Sequence, residues 1–212
     1  MKSSRFFALV VAEILLSQTA AHADGIDMND PRRALGREDD VRVDARLLQE
    51  SVVPGVPIGV IYQIQNFTET PVAVADKVSS ASYDGETRTI TITLGSEVPE
   101  QNLPHLVVIA PGEKKILHAA ALPSLTAAAS RASVGGAPRF VQLKVAILRD
   151  VTPFRALIDR QGPGPQPLAD ALFDTWLESN DTILLNSVPV QFSARAGNSF
   201  DVEGRDASHA SY

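Results

Sequence analysis

From Val41 onward the chain alternates between apolar and polar positions. Val41, Val43, Ala45 and Leu47 are separated by Arg42, Asp44 and Arg46, the two-residue period of a strand with one buried and one wet face. Pro54-Gly55-Val56-Pro57 breaks the run with turn chemistry. Ile58, Val60, Tyr62 and Ile64 then share one face of a second strand, and Gly59, Ile61, Gln63 and Gln65 share the other. A turn over residues 66–71 leads into the apolar run Val72-Ala73-Val74-Ala75. Asp84-Gly85 predicts a two-residue type I′ hairpin, because both residues tolerate the positive φ angles of that turn. In its outgoing strand Arg88, Ile90, Ile92 and Leu94 face one way, and Thr87, Thr89, Thr91 and Thr93 the other.

The second half of the chain continues in the same style. Residues 106–110 and 114–122 read as strands on either side of Pro111-Gly112. Residues 123–137 are rich in Ala, Ser and Gly and read as a loop, as do residues 160–167. Between them Val141, Leu143, Val145 and Ile147 alternate with Gln142 and Lys144, the pattern of a core strand. Residues 182–194 read as a long last strand, which Pro189 places at a sheet edge or a bulge. Only one stretch has helical spacing. Leu168, Leu172, Phe173 and Trp176 gather on one side, and Asp170, Asp174 and Glu178 recur on the other. Pro167 suits the first helical position, where its missing N–H costs nothing.

Strands that follow one another without intervening helices argue against parallel βαβ units. Half-buried alternation implies antiparallel sheets that cover each other's apolar faces. The expected fold is therefore all-β: an immunoglobulin-like antiparallel β-sandwich over residues 41–196, with one amphipathic helix between the last two strands. Residues 24–40 read as a flexible N-terminal lead and residues 197–212 as a disordered tail, both being polar. Residues 62–74 run strand, Asn66-Phe67-Thr68, Pro71, apolar strand. Residues 106–117 run apolar strand, Pro111-Gly112-Glu113, strand. Together these two stretches loosely resemble exported bacterial immunoglobulin-like domains. The resemblance implies a fold, and a fold alone does not supply a function.

The first 23 residues set the expected compartment. Lys2 and Arg5 precede an apolar stretch over residues 6–16, interrupted only by Glu13, and Ala21-His22-Ala23 then supplies small residues for cleavage after Ala23. That order is a secretory signal peptide, and its apolar part is too short for a transmembrane anchor. The chain has no cysteine. An exported domain without disulfides rests on its apolar core, which fits a bacterial periplasmic or secreted protein. The formal charge is −6, and removing two basic and one acidic residue with the signal leaves the rest more acidic still. A broad basic field for nucleic acid is therefore not expected. Asn66-Phe67-Thr68 and Asn180-Asp181-Thr182 match the glycosylation sequon, a three-residue pattern that arises easily by chance.

Candidate chemistry is sparse. A symmetric hairpin about Pro111-Gly112 would set His105 opposite His118, close enough for two imidazoles to share a metal. Zinc asks for three or four protein ligands and no third is evident, so no metal site and no cofactor are expected. Glu38-Asp39-Asp40 lacks the spacing and the Gly of a calcium loop. There is no nucleophile elbow and no phosphate loop after a strand, and the expectation is that the protein is not an enzyme. The threonine ladder fits a solvent-facing strand side. The helix reads as a cap that buries Trp176. The alternative is a partner-binding surface made by Trp176, Phe173 and Leu172. The expectation is a non-catalytic binding or accessory module of the bacterial cell envelope, with another envelope protein as its partner. The alternatives are a chaperone-like protein adding a strand at residues 182–194, and an enzyme without a recognisable motif.

Overall fold

The computed structural model describes residues 26–95, 102–124, 136–162 and 166–193. In chain order the strands are β1 (Arg33–Glu38), β2 (Val41–Leu47), β3 (Ser51–Val52), β4 (Ile58–Asn66) and β5 (Val72–Ala75). There follow β6 (Ser79–Asp84), β7 (Thr89–Leu94), β8 (Asn102–Leu103), β9 (Leu106–Ile109), β10 (Lys114–Ala121) and β11 (Phe140–Leu148). A 3-10 turn (Thr152–Phe154) runs into the short helix α1 (Arg155–Ile158). The chain continues through β12 (Gln166–Pro167), α2 (Asp170–Ser179), β13 (Asn180–Leu184), β14 (Val188–Pro189) and β15 (Gln191–Phe192).

The molecule is mainly β, with antiparallel pairing predominant. A four-stranded sheet has the order β1-β2-β4-β10 and is antiparallel throughout. A seven-stranded sheet has the path β6-β7-β11-β5-β9, with β13 and β14 also pairing with β11. The alternation read from the sequence holds along the core strands. Val41, Val43, Ala45 and Leu47 of β2 and Ile58, Val60, Tyr62 and Ile64 of β4 are fully buried. They share one cluster with Ile90, Ile92 and Leu94 of β7 and Val141, Leu143, Val145 and Ile147 of β11. Each Val, Leu or Ile side chain among them contributes roughly 1.5–3 kcal/mol when fully removed from water, so this inter-sheet layer dominates stability. Burial also keeps the Tyr62 phenol protonated by pushing its pKa up.

Several expectations are corrected. The stretch read as a mobile lead contains β1, paired residue by residue with β2. The turn between them is Asp39-Asp40, both at positive φ (41° and 60°), as a type I′ hairpin demands. The Asp84-Gly85 hairpin does form, but its strands close at Asp84 and Thr89 around a four-residue loop. Asp84 accepts hydrogen bonds from the Glu86 N–H and the Thr87 hydroxyl, which shapes that longer loop. Arg88 leaves the strand at φ 56° instead of sharing a face with Ile90.

β7 runs parallel to β11, so the larger sheet is not purely antiparallel. Parallel neighbours need a long crossover. Here the intervening chain visits β9 in the same sheet and β10 in the other before it returns. Pro167 pairs with Asn102, and helix α2 begins at Asp170 behind Ala169.

The long last strand is three short ones. β13 and β14 pair with β11, whereas β15 pairs in parallel with β3. β1 meets this stretch at Asn186. The Leu35 N–H donates to Asn186 Oδ1 at 2.6 Å, and the Asn186 N–H donates to the Leu35 carbonyl at 3.2 Å. Gly36 makes that approach possible, since a Cβ there would sit 2.7 Å from the Leu184 carbonyl oxygen.

Asn66 locks one end of the molecule. It is fully buried. Its amide donates to the carbonyls of Thr70 and Ile109, and its oxygen accepts from the Thr68 N–H and hydroxyl. The Asn-Phe-Thr and Pro-Gly-Glu turns are thereby joined, because the Gly112 N–H donates to the Asn66 carbonyl and the Asn66 N–H to the Glu113 carbonyl.

Candidate functional site

The sequence-predicted residues do not converge. The Pro111-Gly112 turn forms as read, with the Glu113 N–H donating to the Ala110 carbonyl. Its strands then diverge: β9 pairs with β5 and β10 with β4, in different sheets. His105 and His118 are therefore not cross-strand neighbours. His105 Nδ1 lies 2.8 Å from Asp76 Oδ1. His118 stands exposed on β10 opposite Ile61. Among the described residues no group of three metal-ligating side chains forms.

The helix reading resolves toward the cap. Trp176 is only 1% exposed and packs edge-on against Phe154, with ring centroids 5.7 Å apart. The two rings belong to a second apolar cluster with Leu103, Leu106, Leu148 and Leu168, against which Leu172 and Phe173 are half-buried. Of the three side chains considered for partner binding, Trp176 is buried and Leu172 and Phe173 are half-buried, because the stripe at helical spacing covers apolar residues below it. Among the described residues no helix is long and apolar enough to cross a membrane. The signal region, the tail, and most of the loop at 123–137 lie outside the described residues.

The most concentrated chemistry sits on the outer face of the four-stranded sheet. Alternation turns Arg42, Asp44 and Arg46 of β2 outward, since their neighbours fill the core. Pairing sets Arg37, Leu35 and Arg33 of β1 opposite these three. On the other side Gln65, Gln63 and Ile61 of β4 stand opposite them, followed by Lys114, Ile116 and His118 of β10. The result is a grid in three rows across four strands. It carries five lysine or arginine side chains and one acid.

The charges are interlocked. Asp44, with 6% of its side chain exposed, accepts hydrogen bonds from Arg33 Nη2 and, at 2.8 Å, pairs with Arg42 Nη2. Beside it Asp30 accepts from Arg32 Nη2 at 2.8 Å, Arg32 Nε at 2.9 Å and the Arg32 N–H at 2.9 Å, with Arg46 Nη1 at 3.8 Å. The Arg32 hydrogen bonds hold the Asp30 carboxyl well below the usual carboxylate range, at about 2. Four guanidiniums thus share two carboxylates, and the Nε–H groups of Arg33, Arg42 and Arg46 are buried without an acceptor among the described residues. Lys114 is exposed and has no carboxylate partner among those residues.

Residues 26–30 lie along one margin of this grid. Between Ile26, Met28 and the sheet runs a cleft of about 450 Å³, floored by Arg42, Asp44, Gln63 and Gln65 and closed by Gly112 and Lys114. The arrangement offers positive charge, amide donors and acceptors, and an apolar lip in one place. The sequence did carry a signal for it. Arg33 and Arg46, like Arg37 and Arg42, are mirror-placed about Asp39-Asp40. Reading residues 33–38 as lead left Arg33 and Arg37 without a sheet to stand on.

Comparison with protein-family models, with curated proteins and with solved structures finds no match.

Proposed function

We propose that the chain is a non-catalytic binding or accessory module of the bacterial cell envelope, built on an immunoglobulin-like β-sandwich. On this reading it is exported and acts in the periplasm or outside the cell after cleavage behind Ala23. Support for export comes from the order of charge, apolar stretch and small residues at the start of the chain, and from the lack of cysteine. Support for the sandwich comes from two sheets that contribute to one apolar layer. The observation that carries the binding role is the outer face of the four-stranded sheet. A surplus of guanidiniums there stands on a chain whose overall charge is negative.

Such a face selects a partner by complementary charge, and the proposed partner is another envelope protein. A strand-donating chaperone role is less well supported, because Leu35 and Asn186 occupy each other along the last strands. The test is crosslinking of the tagged protein in its native host, followed by mass spectrometry. One reproducible envelope partner, crosslinked through β1, β2 or β10, is the expected result. The absence of any reproducible partner overturns the reading.

A further inference from the structure

The cleft beside Met28 has a composition that names its occupant. Lys114 and Arg42 flank it, and each holds charge that the protein does not fully neutralise. Arg42 shares Asp44 with Arg33, and Lys114 forms no ion pair among the described residues, the neighbouring Glu113 pairing with Lys115 instead. Gln63 and Gln65 stand side by side on β4, two positions apart and outward-facing, with no hydrogen bond from either side-chain amide among the described residues. Each amide both donates and accepts, which is what a peptide backbone presents in return. A simple inorganic anion needs donors alone. Ile26 and Met28, the latter 64% exposed, add an apolar surface on the remaining side. A volume of about 450 Å³ suits a few residues of extended chain better than a single ion.

We infer that this cleft binds an acidic peptide segment, with a carboxylate between Arg42 and Lys114, the peptide backbone against Gln63 and Gln65, and a neighbouring apolar side chain on Ile26 and Met28. This rests on the binding-module reading and gives its partner a chemistry: an exposed stretch in which acidic and aliphatic residues alternate. Charge complementarity is the argument for that occupant. The carboxylate completes a cluster in which guanidiniums outnumber acids, and one close charge-assisted pair adds to affinity where water is partly excluded.

The experiment is fluorescence polarisation on the full chain with a labelled Gly-Glu-Leu-Glu-Ile-Gly peptide. The same peptide with glutamine for glutamate, and unlabelled inorganic phosphate as competitor, are the comparison probes. The acidic peptide is expected to bind at least about tenfold more tightly than the neutral one and to weaken as salt rises. Lys114→Gln is expected to weaken it about three- to tenfold. Met28→Ser should weaken it about threefold by removing part of the apolar lip. Lys144→Gln, on the outer side of the other sheet, should leave it unchanged.

Equal binding of the two peptides overturns the inference. So does full binding by Lys114→Gln, and so does complete displacement by an equal concentration of phosphate, which would mark a plain anion site. A partner crosslinked through a different face, with no peptide bound, sinks this inference and leaves the module reading standing. No partner and no peptide sinks both.

Discussion

The outer face of the four-stranded sheet is built from charges, and that of the larger sheet from hydroxyls. On the larger sheet Thr89, Thr91 and Thr93 of β7 stand beside Asp84, Ser82 and Ser80 of β6. On their other side stand Phe140, Gln142 and Lys144 of β11. Both faces arise from the same alternation, and both cover the same apolar layer. They differ in how their members depend on one another. A threonine on an outward strand face fits the pleat by itself and needs no partner. Asp44 is 6% exposed at its side chain and sits among guanidiniums, so each charge there is tolerable only while the others remain. A half-buried polar network is costly when broken, and the contrast shows that equal patterning does not mean equal vulnerability.

The largest effect should come from removing the acid at the centre of the charged face. Asp44→Ala leaves Arg33 and Arg42 without their carboxylate and should destabilise the protein by about 3 kcal/mol, read from the urea midpoint at constant slope. A loss below about 0.5 kcal/mol would mean that the two faces are energetically alike.

Next is Asp30, whose carboxyl is held at about 2 against an ordinary 3.8. A carboxyl with a lowered folded-state pKa adds stability that is complete above its unfolded value. That stability is lost as the pH falls from about 4 toward 2. Asp30→Asn should cost about 1.5 kcal/mol at neutral pH and flatten the loss of stability between those pH values. Hydrogen bonds also lower the carboxyls of Asp84 (from Thr87), Glu113 (from the Ala110 N–H) and Asp150 (from Thr152). The acid response should therefore be weakened by the substitution and not abolished. An unchanged pH profile of thermal stability would break the argument.

A smaller effect of opposite sign is expected at the hairpin that sets the register of the charged face. Asp40 has φ 60°, and its pair with Arg37 is well exposed. Asp40→Gly relieves the left-handed strain at the expense of a surface ion pair of little worth. It should stabilise the protein by about 0.5–1 kcal/mol, measured by calorimetry. On the hydroxyl face Thr91→Val should stay within about 0.5 kcal/mol of the parent. A larger loss in the same urea series would show that the ladder is a coupled network after all.

The strands of the core were readable because each side of a strand repeats every second residue. Val141 to Val145 shows it plainly, and Ala146 departs from it by being buried on the opposite side. The Asn-Phe-Thr and Pro-Gly-Glu turns were also visible as turns, but not their union through Asn66, which joins segments 43 residues apart. Reading residues 33–38 as lead failed for a related reason. Gly36 and the charged pair Arg37-Glu38 weaken a strand pattern, and only contact with β2 on one side and Asn186 on the other repays ordering that segment. Trp176 was legible as part of an apolar stripe. Its burial became definite only when the chain supplied Phe154 and Leu106 beneath it.

The sequence by itself determined where the core strands β2, β4, β7 and β11 run and which side of each is apolar, because these follow from local backbone geometry and side-chain period. Tertiary structure alone decided who stands beside whom. It set β7 parallel to β11, sent β9 and β10 to different sheets and so parted His105 from His118, and carried Arg33 to Asp44. Neighbour choice of that kind depends on closing long loops and burying distant apolar faces together, and neither is encoded within any short stretch of residues.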